Sequence, residues 1–317
     1  MRATRCVTAV LVLTAIAAVG CSKDAKASKR AADSNAGAEK ARFVATAGGA
    51  VVAKPVFNDE PSVISKMPPS ATFADGKAAY SARNYSDATA IFESYAHRRP
   101  KNVWGHYMLG LSAWKSGDLA RAESAFETAL SIQPNHVKSL VNLSRVLIEQ
   151  KRYDDAIVKL TAAEEVDPES ATVPRLMARA HSAKGDFEQA VDAYRRAITL
   201  DGNDAWSMNN LGLLYLEQGF VEDALPYLAK AVLMKENVAA FHNNLGMALE
   251  HQGRFVAAVG AYKGALTADP GYKKAKQNLA RVEAVKSGPE EPFDLAAVAR
   301  GTDEDRKVAS DDTRAAN

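Results

Sequence analysis

The chain has 317 residues, 47% hydrophobic and 25% charged, the proportions of a folded protein and not of a disordered one. Its 40 basic side chains are nearly balanced by 38 acidic ones, which excludes the positive excess of a nucleic-acid binder. Aromatics make up 7%, no alternating β-branched runs bounded by Asn-Gly or Asp-Gly turns occur, and both cysteines, Cys6 and Cys21, precede the folded part, so an all-α class without disulfide, zinc cluster or catalytic thiol is expected.

Residues 1–20 have the three parts of a secretory signal: Arg2 and Arg5, an apolar stretch over 7–19, and small residues at the exit. The stretch is too short to cross a bilayer, which takes roughly 20 residues of helix. Cleavage by ordinary signal peptidase and retention as an anchor are two readings. A third rests on Ala18-Val19-Gly20-Cys21, which resembles the bacterial lipobox, although that motif usually has Leu where Ala18 stands and Ser or Ala at Val19. The resemblance implies lipid attachment at Cys21, and because each buried CH₂ contributes about 0.8 kcal/mol, two or more acyl chains anchor stably where one does not. Ser22, in place of Asp, implies an outer-membrane destination facing the periplasm in a Gram-negative cell. Residues 21–70 are rich in Ala, Ser, Lys and Gly, with Gly48-Gly49, Pro55, Pro61, Pro68 and Pro69, and read as a flexible tether.

One ruler of 34 residues then organises the sequence. Pro100, Pro134 and Pro168 are 34 apart, and further steps through Gly202 and Glu236 reach Pro270. With these as position 32, position 8 holds Gly76, Gly110, Ser144, Ala178, Gly212 and Gly246, and position 20 holds alanine in all copies, from Ala88 to Ala258. Position 24 holds Phe92, Phe126, Leu160, Tyr194, Leu228 and Tyr262. Small residues at 8 and 20 let two antiparallel helices approach, and the bulky residue at 24 fills the seam. Positions 4, 7, 8 and 11 share one helical face by the 3.6-residue period. Gly117, Gly185, Gly219 and Gly253 at position 15 stop the first helix, and the residue at 32 ends the second.

This pattern, with Asn-Leu-Gly at 210–212 and 244–246, resembles the tetratricopeptide repeat. The resemblance implies a right-handed superhelical solenoid of six helix-turn-helix repeats, 69–102, 103–136, 137–170, 171–204, 205–238 and 239–272, with a capping helix at 273–286. The array spans 71–286. Asp75 departs from the Leu expected at position 7, as befits a solvated terminal repeat, and Pro226 at position 22 predicts a second helix that starts late or bends. The acidic tail, 287–317, is expected to be disordered.

Positions 2, 5, 6, 9 and 13 form the stripe that lines the concave face. Asn142, Asn210, Asn244 and Asn278 recur at position 6, with Asn209, Asn243 and Gln277 beside them at position 5. Such carboxamides can pair with the backbone of an extended peptide, as in the similar grooves of protein O-GlcNAc transferase repeat arrays, or they can bond the neighbouring helix. Lys138, Arg145, Arg175, Arg179, Lys274 and Arg281 fall on positions 2, 5 and 9, which points to an acidic segment or a terminal carboxylate as ligand, or to a solvated face with counter-charges nearby. The two-carboxylate clamp of chaperone-binding repeats is matched only weakly, by Arg175 with Arg179 ahead of Asn210 and Asn244. The acidic tail is a candidate occupant in cis. No catalytic constellation, metal or cofactor is expected: the six histidines are scattered, with His106, His181 and His242 at buried-face positions, and the acidic pairs Asp154-Asp155 and Glu222-Asp223 sit at helix starts as caps. The expected role is a tethered interaction scaffold holding an envelope protein. A pilotin-like assembly lipoprotein, an accessory subunit of a cell-wall enzyme and an enzyme with a repeat body are the other readings.

Overall fold

A computed structural model describes residues 71–285 and 288–301; the signal segment, Cys21, the tether and residues 302–317 lie outside the described residues. Among the described residues the structure is all-helical. Six hairpins follow in order: α1 (Phe73–Ser81) with α2 (Tyr85–Arg98), α3 (Val103–Ser116) with α4 (Leu119–Ile132), and α5 (Val137–Glu149) with α6 (Tyr153–Val166). Then come α7 (Thr172–Lys184) with α8 (Phe187–Leu200), α9 (Ala205–Glu217) with α10 (Val221–Met234), and α11 (Ala239–His251) with α12 (Phe255–Ala268). The cap α13 (Lys273–Glu283) and a short α14 (Leu295–Ala299) complete the order. From α1 to α13 each helix packs on the next, and the first helices of successive repeats also touch one another, α3 with α5, α5 with α7 and α9 with α11, so the array curves toward that side.

The small-to-large seam behaves as its chemistry requires. All six alanines at position 20 are fully buried, and so are Phe92, Phe126, Leu160, Leu228 and Tyr262 at position 24. A Cβ added at Gly110 would lie 2.7 Å from the Phe126 ring, and at Gly246 2.5 Å from the Tyr262 ring. Interiors packed this tightly have no slack for a methyl group, so glycine is needed for the close approach and not for flexibility.

The turn at position 15 is left-handed in every copy, including the two that lack glycine. Gly117, Gly185, Gly219 and Gly253 have φ of 77° to 90°, and Arg83 and Lys151 hold φ of 60° and 62°. A non-glycine residue there costs on the order of 1 kcal/mol, which the flanking hairpin packing offsets. The second helices end two residues before position 32 whether that residue is Pro, Gly202 or Glu236, so packing, and not proline, sets the stop.

Two sequence expectations are corrected and one gains detail. α10 starts on register at Val221 despite Pro226, because a proline in the second turn removes one hydrogen bond without disturbing the first. Asp75 is exposed, as expected of a terminal repeat, and is also a cap: it completes a capping box with Thr72, accepting the Thr72 N–H at 2.7 Å, and that bond holds its carboxyl below the usual range. Residues 288–301 are not featureless. They fold back so that α14 packs on α10, with Phe293, Leu295 and Val298 against the main core and Ala299 buried.

Candidate functional site

The carboxamides at positions 5 and 6 form a relay between repeats. The Asn278 Nδ2 donates to Asn243 Oδ1 at 2.9 Å, and the Asn244 Nδ2 donates to Asn209 Oδ1, also at 2.9 Å. Within a repeat Asn209 donates to Asn210 at 3.1 Å, and Asn243 to Asn244 at a long 3.5 Å. Asn210 bonds the Tyr194 hydroxyl, whose pKa burial pushes up to about 12. The same step of 35 residues recurs earlier, where Asn142 donates to the Tyr107 hydroxyl at 3.3 Å and to the Lys138 carbonyl at 2.8 Å. Asn142, Asn209 and Asn243 are only 8%, 4% and 1% exposed. Of the two readings of these amides, bonding the neighbouring helix is the one these three contacts fit: buried amides must find partners, and these find them in the adjoining repeat. Asn210, Asn244 and Asn278 are half-buried.

The basic residues divide into two groups. At the C-terminal end Arg281 makes a two-point bridge to Glu250, at 3.0 and 2.8 Å, and Glu250 also accepts from the Tyr262 hydroxyl, so that charge is compensated. Lys274 stands exposed on the same helix. In the middle of the array Arg145, Arg175 and Arg179 gather. Arg175 bridges Asp204 at 2.9 Å, and Asp204 is almost fully buried and already engaged as the cap of α9, accepting from Ser207 Oγ at 2.6 Å. Arg145 is half-buried, and neither it nor Arg179 forms an ion pair with a carboxylate among the described residues. Burial, followed by the charges of Arg175 and Arg179, lowers the Arg145 pKa. Desolvation with like charge as neighbour is an unfavourable setting that an incoming anion relieves.

Aromatic residues adjoin this cluster, and sequence reasoning missed them. Trp104 is 46% exposed at position 2, edge-on to Tyr107 and His136, with the Lys138 ammonium 5.1 Å from its ring. Trp206 occupies the same position three repeats on and is equally exposed. A large apolar side chain held exposed at a recurring concave position was the available signal. His136 itself is buried, with Nδ1 on Ser139 Oγ at 2.7 Å and Nε2 without a partner, and burial together with Lys138 lowers its pKa.

His97 and His251 are exposed, and His106, His181 and His242 are half-buried joints and not core. His106 and His242, both at position 4, bond through Nε2 to the carbonyls of Pro100 at 2.9 Å and Glu236 at 2.8 Å, and His181 faces Asp186 at 3.2 Å. Among the described residues no group of His, Cys, Asp or Glu is placed to hold a metal, and no helix is long and apolar enough to cross a membrane.

Family models described as tetratricopeptide repeat match residues 73–137, 209–273, 113–180 and 178–219, together a continuous span. Among curated proteins, the sequence is 26% identical over 98 residues to anaphase-promoting complex subunit 7 of Mus musculus, covering 31% of this chain and 17% of that protein. It is 28% identical over 102 residues to Hsp70-Hsp90 organizing protein 1 of Arabidopsis thaliana, covering 29% and 18%. The similarity thus spans less than a fifth of these relatives. Two solved structures share its fold: the Cut9-Hcn1 assembly, with a TM-score of 0.57 at 18% identity over 66% of this chain and 41% of that one, and a repeat protein from Parabacteroides merdae, with 0.54 at 17% over 66% and 82%.

Proposed function

We propose, from the premise that this chain belongs to the tetratricopeptide-repeat family, that it is a protein-binding scaffold whose concave face holds an extended acidic segment of a partner across repeats 2 to 4. Repeat proteins of this family are protein-interaction scaffolds, and two relatives are named for such work, as a complex subunit and as an organizing protein. The observation that carries the reading is the cluster of Arg145, Arg175 and Arg179, in which Arg175 alone has a carboxylate partner, Asp204, among the described residues. Guanidinium groups present planar donor pairs that match carboxylates two bonds at a time. Trp104 in repeat 2 adds exposed apolar surface within the proposed span, and Trp206 in repeat 5 adds more just beyond it. Neighbouring repeats are about 10 Å apart, and an extended peptide advances about 3.3 Å per residue, so about ten residues span three repeats.

The test is a fluorescence titration with a ten-residue peptide alternating Glu with apolar residues. Arg145→Glu with Arg179→Glu is expected to weaken binding about 100-fold, since each charged contact contributes about 1.5 kcal/mol or more. Affinity in the parent protein falls as salt rises and the charges are screened. Equal affinity in parent and variant contradicts the reading.

The scaffold is, on this reading, exported and held to the cell envelope by lipid on Cys21, with envelope proteins as its partners. The support is the sequence itself: Arg2, Arg5, the apolar stretch and the residues before Cys21. Cys21→Ser is expected to move the protein from the membrane to the soluble fraction of the cells that make it; retention on membranes would overturn the anchor.

A further inference from the structure

α10 has an outer face unlike those of its counterparts. Positions 22, 25 and 29 share one side of a helix. Position 25 is Glu93, Glu127, Thr161, Arg195 or Lys263 in the other repeats, but Ala229 in α10, and position 29 is Leu233 there and polar in every other copy. Position 22 in α10 is Pro226. A second helix exposed to water has no reason to gain this apolar set in one repeat alone; Ala229 is fully buried, while Leu233 at the end of the same face stays 41% exposed. The face that α10 turns outward is the one against which α14 packs.

The segment before α14 is held by three further contacts. The Glu290 Oε1 accepts the Val256 N–H at 2.8 Å. This supplies the cap that α12 lacks, because its own capping residue, Arg254, makes no such bond. A carboxylate at this place satisfies an orphan donor and complements the helix dipole. Arg254 donates through Nη2 to the Glu291 carbonyl at 2.8 Å, and its guanidinium lies 4.9 Å from the Phe293 ring. Asp294 then starts α14 by accepting the Ala297 N–H at 2.9 Å. At the far end Gly301 lies beside Pro226, where a Cβ would stand in ordinary van der Waals contact with its ring at 3.4 Å. The contact is open along one edge: a solvent-open cleft of about 430 Å³ lies between Glu222, Leu225 and Pro226 on one side and Ala297, Val298 and Arg300 on the other.

We infer that the outer face of α10, together with the N-terminus of α12, is a second docking surface separate from the concave groove, and that residues 288–301 are its ligand, bound in cis as a detachable latch. The bound segment defines the chemistry the surface accepts: a carboxylate, an aromatic residue three positions later, and one turn of apolar helix. Because that short helix buries little and leaves one edge open to solvent, the latch opens without unfolding the repeats. A partner segment with the same order of side chains competes for the open surface.

The test uses the full-length protein and a fluorescent peptide of residues 288–301. The parent, whose site is occupied, is expected to bind the peptide at least tenfold more weakly than the latch variant Phe293→Ala with Leu295→Ala, and adding Arg254→Ala to that variant removes the gain. Hydrogen exchange on the parent gives an answer that does not depend on the variants folding. The Val256 and Ala297 amides are expected to exchange at least 100-fold faster than those of Leu211 and Leu245. Equal peptide binding by parent and latch variant, or exchange of these amides only with global unfolding, overturns the inference. Neither outcome depends on the concave groove, so failure here leaves the acidic-peptide reading standing.

Discussion

Repeats 2 to 4 and repeats 5 to the cap are built on the same two helices and both use position 6 to join repeats, as Asn142 does with Tyr107, yet they differ at positions 5 and 9. In the later repeats those positions too are consumed internally: Asn209, Asn243, Asn244 and Asn278 bond one another from repeat to repeat, and Arg281 is neutralised by Glu250. In the earlier ones Arg145 and Arg179 gather beside Arg175 with one carboxylate for the group, and Trp104 stays half in water. The seam at positions 8, 20 and 24 specifies the fold in both regions. The concave positions are then free to join repeats or to face a ligand, and a position held open at an electrostatic cost is the better sign of binding than one that recurs most neatly.

The largest expected effect on this contrast is the charge reversal at Arg145 and Arg179, about 100-fold in peptide affinity. Next comes a stability comparison that runs the other way. Asn243→Ala removes a buried amide and leaves the Asn278 donor without its partner, so it is expected to destabilise the fold by about 2 kcal/mol in urea unfolding. Arg145→Gln removes one of three clustered positive charges and is expected to be neutral or stabilising by about 0.5 kcal/mol. A destabilised Arg145→Gln beside an unaffected Asn243→Ala would reverse the roles assigned to the two regions. The smallest effect is reserved for Lys274→Glu in the peptide titration, expected to be less than about twofold because this exposed ammonium is screened and far from the cluster.

Much of the fold was legible because its rule is steric and repeats. Glycine opposite Phe126 or Tyr262, with alanine at every position 20, has one packing solution, and 34-residue phasing shows it six times. The turn at Arg83 and Lys151 was hidden because those residues do not announce a left-handed conformation; their place in the repeat imposes it. The folded part of the tail was hidden because its composition is that of a solvated segment. The matching signal lay elsewhere, in the apolar outer face of α10, and only comparison between copies of the second helix reveals it. At the site, Arg145, Arg175 and Arg179 stood out by position, but recurrence overstated the asparagines. A row of identical amides serves equally to grip a peptide or to bridge helices, and burial, which decides between the two, is not written in spacing. Asp204 was invisible for a related reason: nothing local says that a helix-capping aspartate meets an arginine 29 residues earlier.

Whether repeats 2 to 4, and not the asparagine-rich repeats, hold the partner is tested most directly by crosslinking. The acidic ten-residue peptide is given a photoreactive group and crosslinked to the full-length protein, and the adducts are mapped by mass spectrometry. Adducts on α3, α5 and α7 that disappear in the Arg145→Glu, Arg179→Glu variant are the predicted result. Adducts concentrated on α11 and α13, or unchanged in that variant, would contradict it.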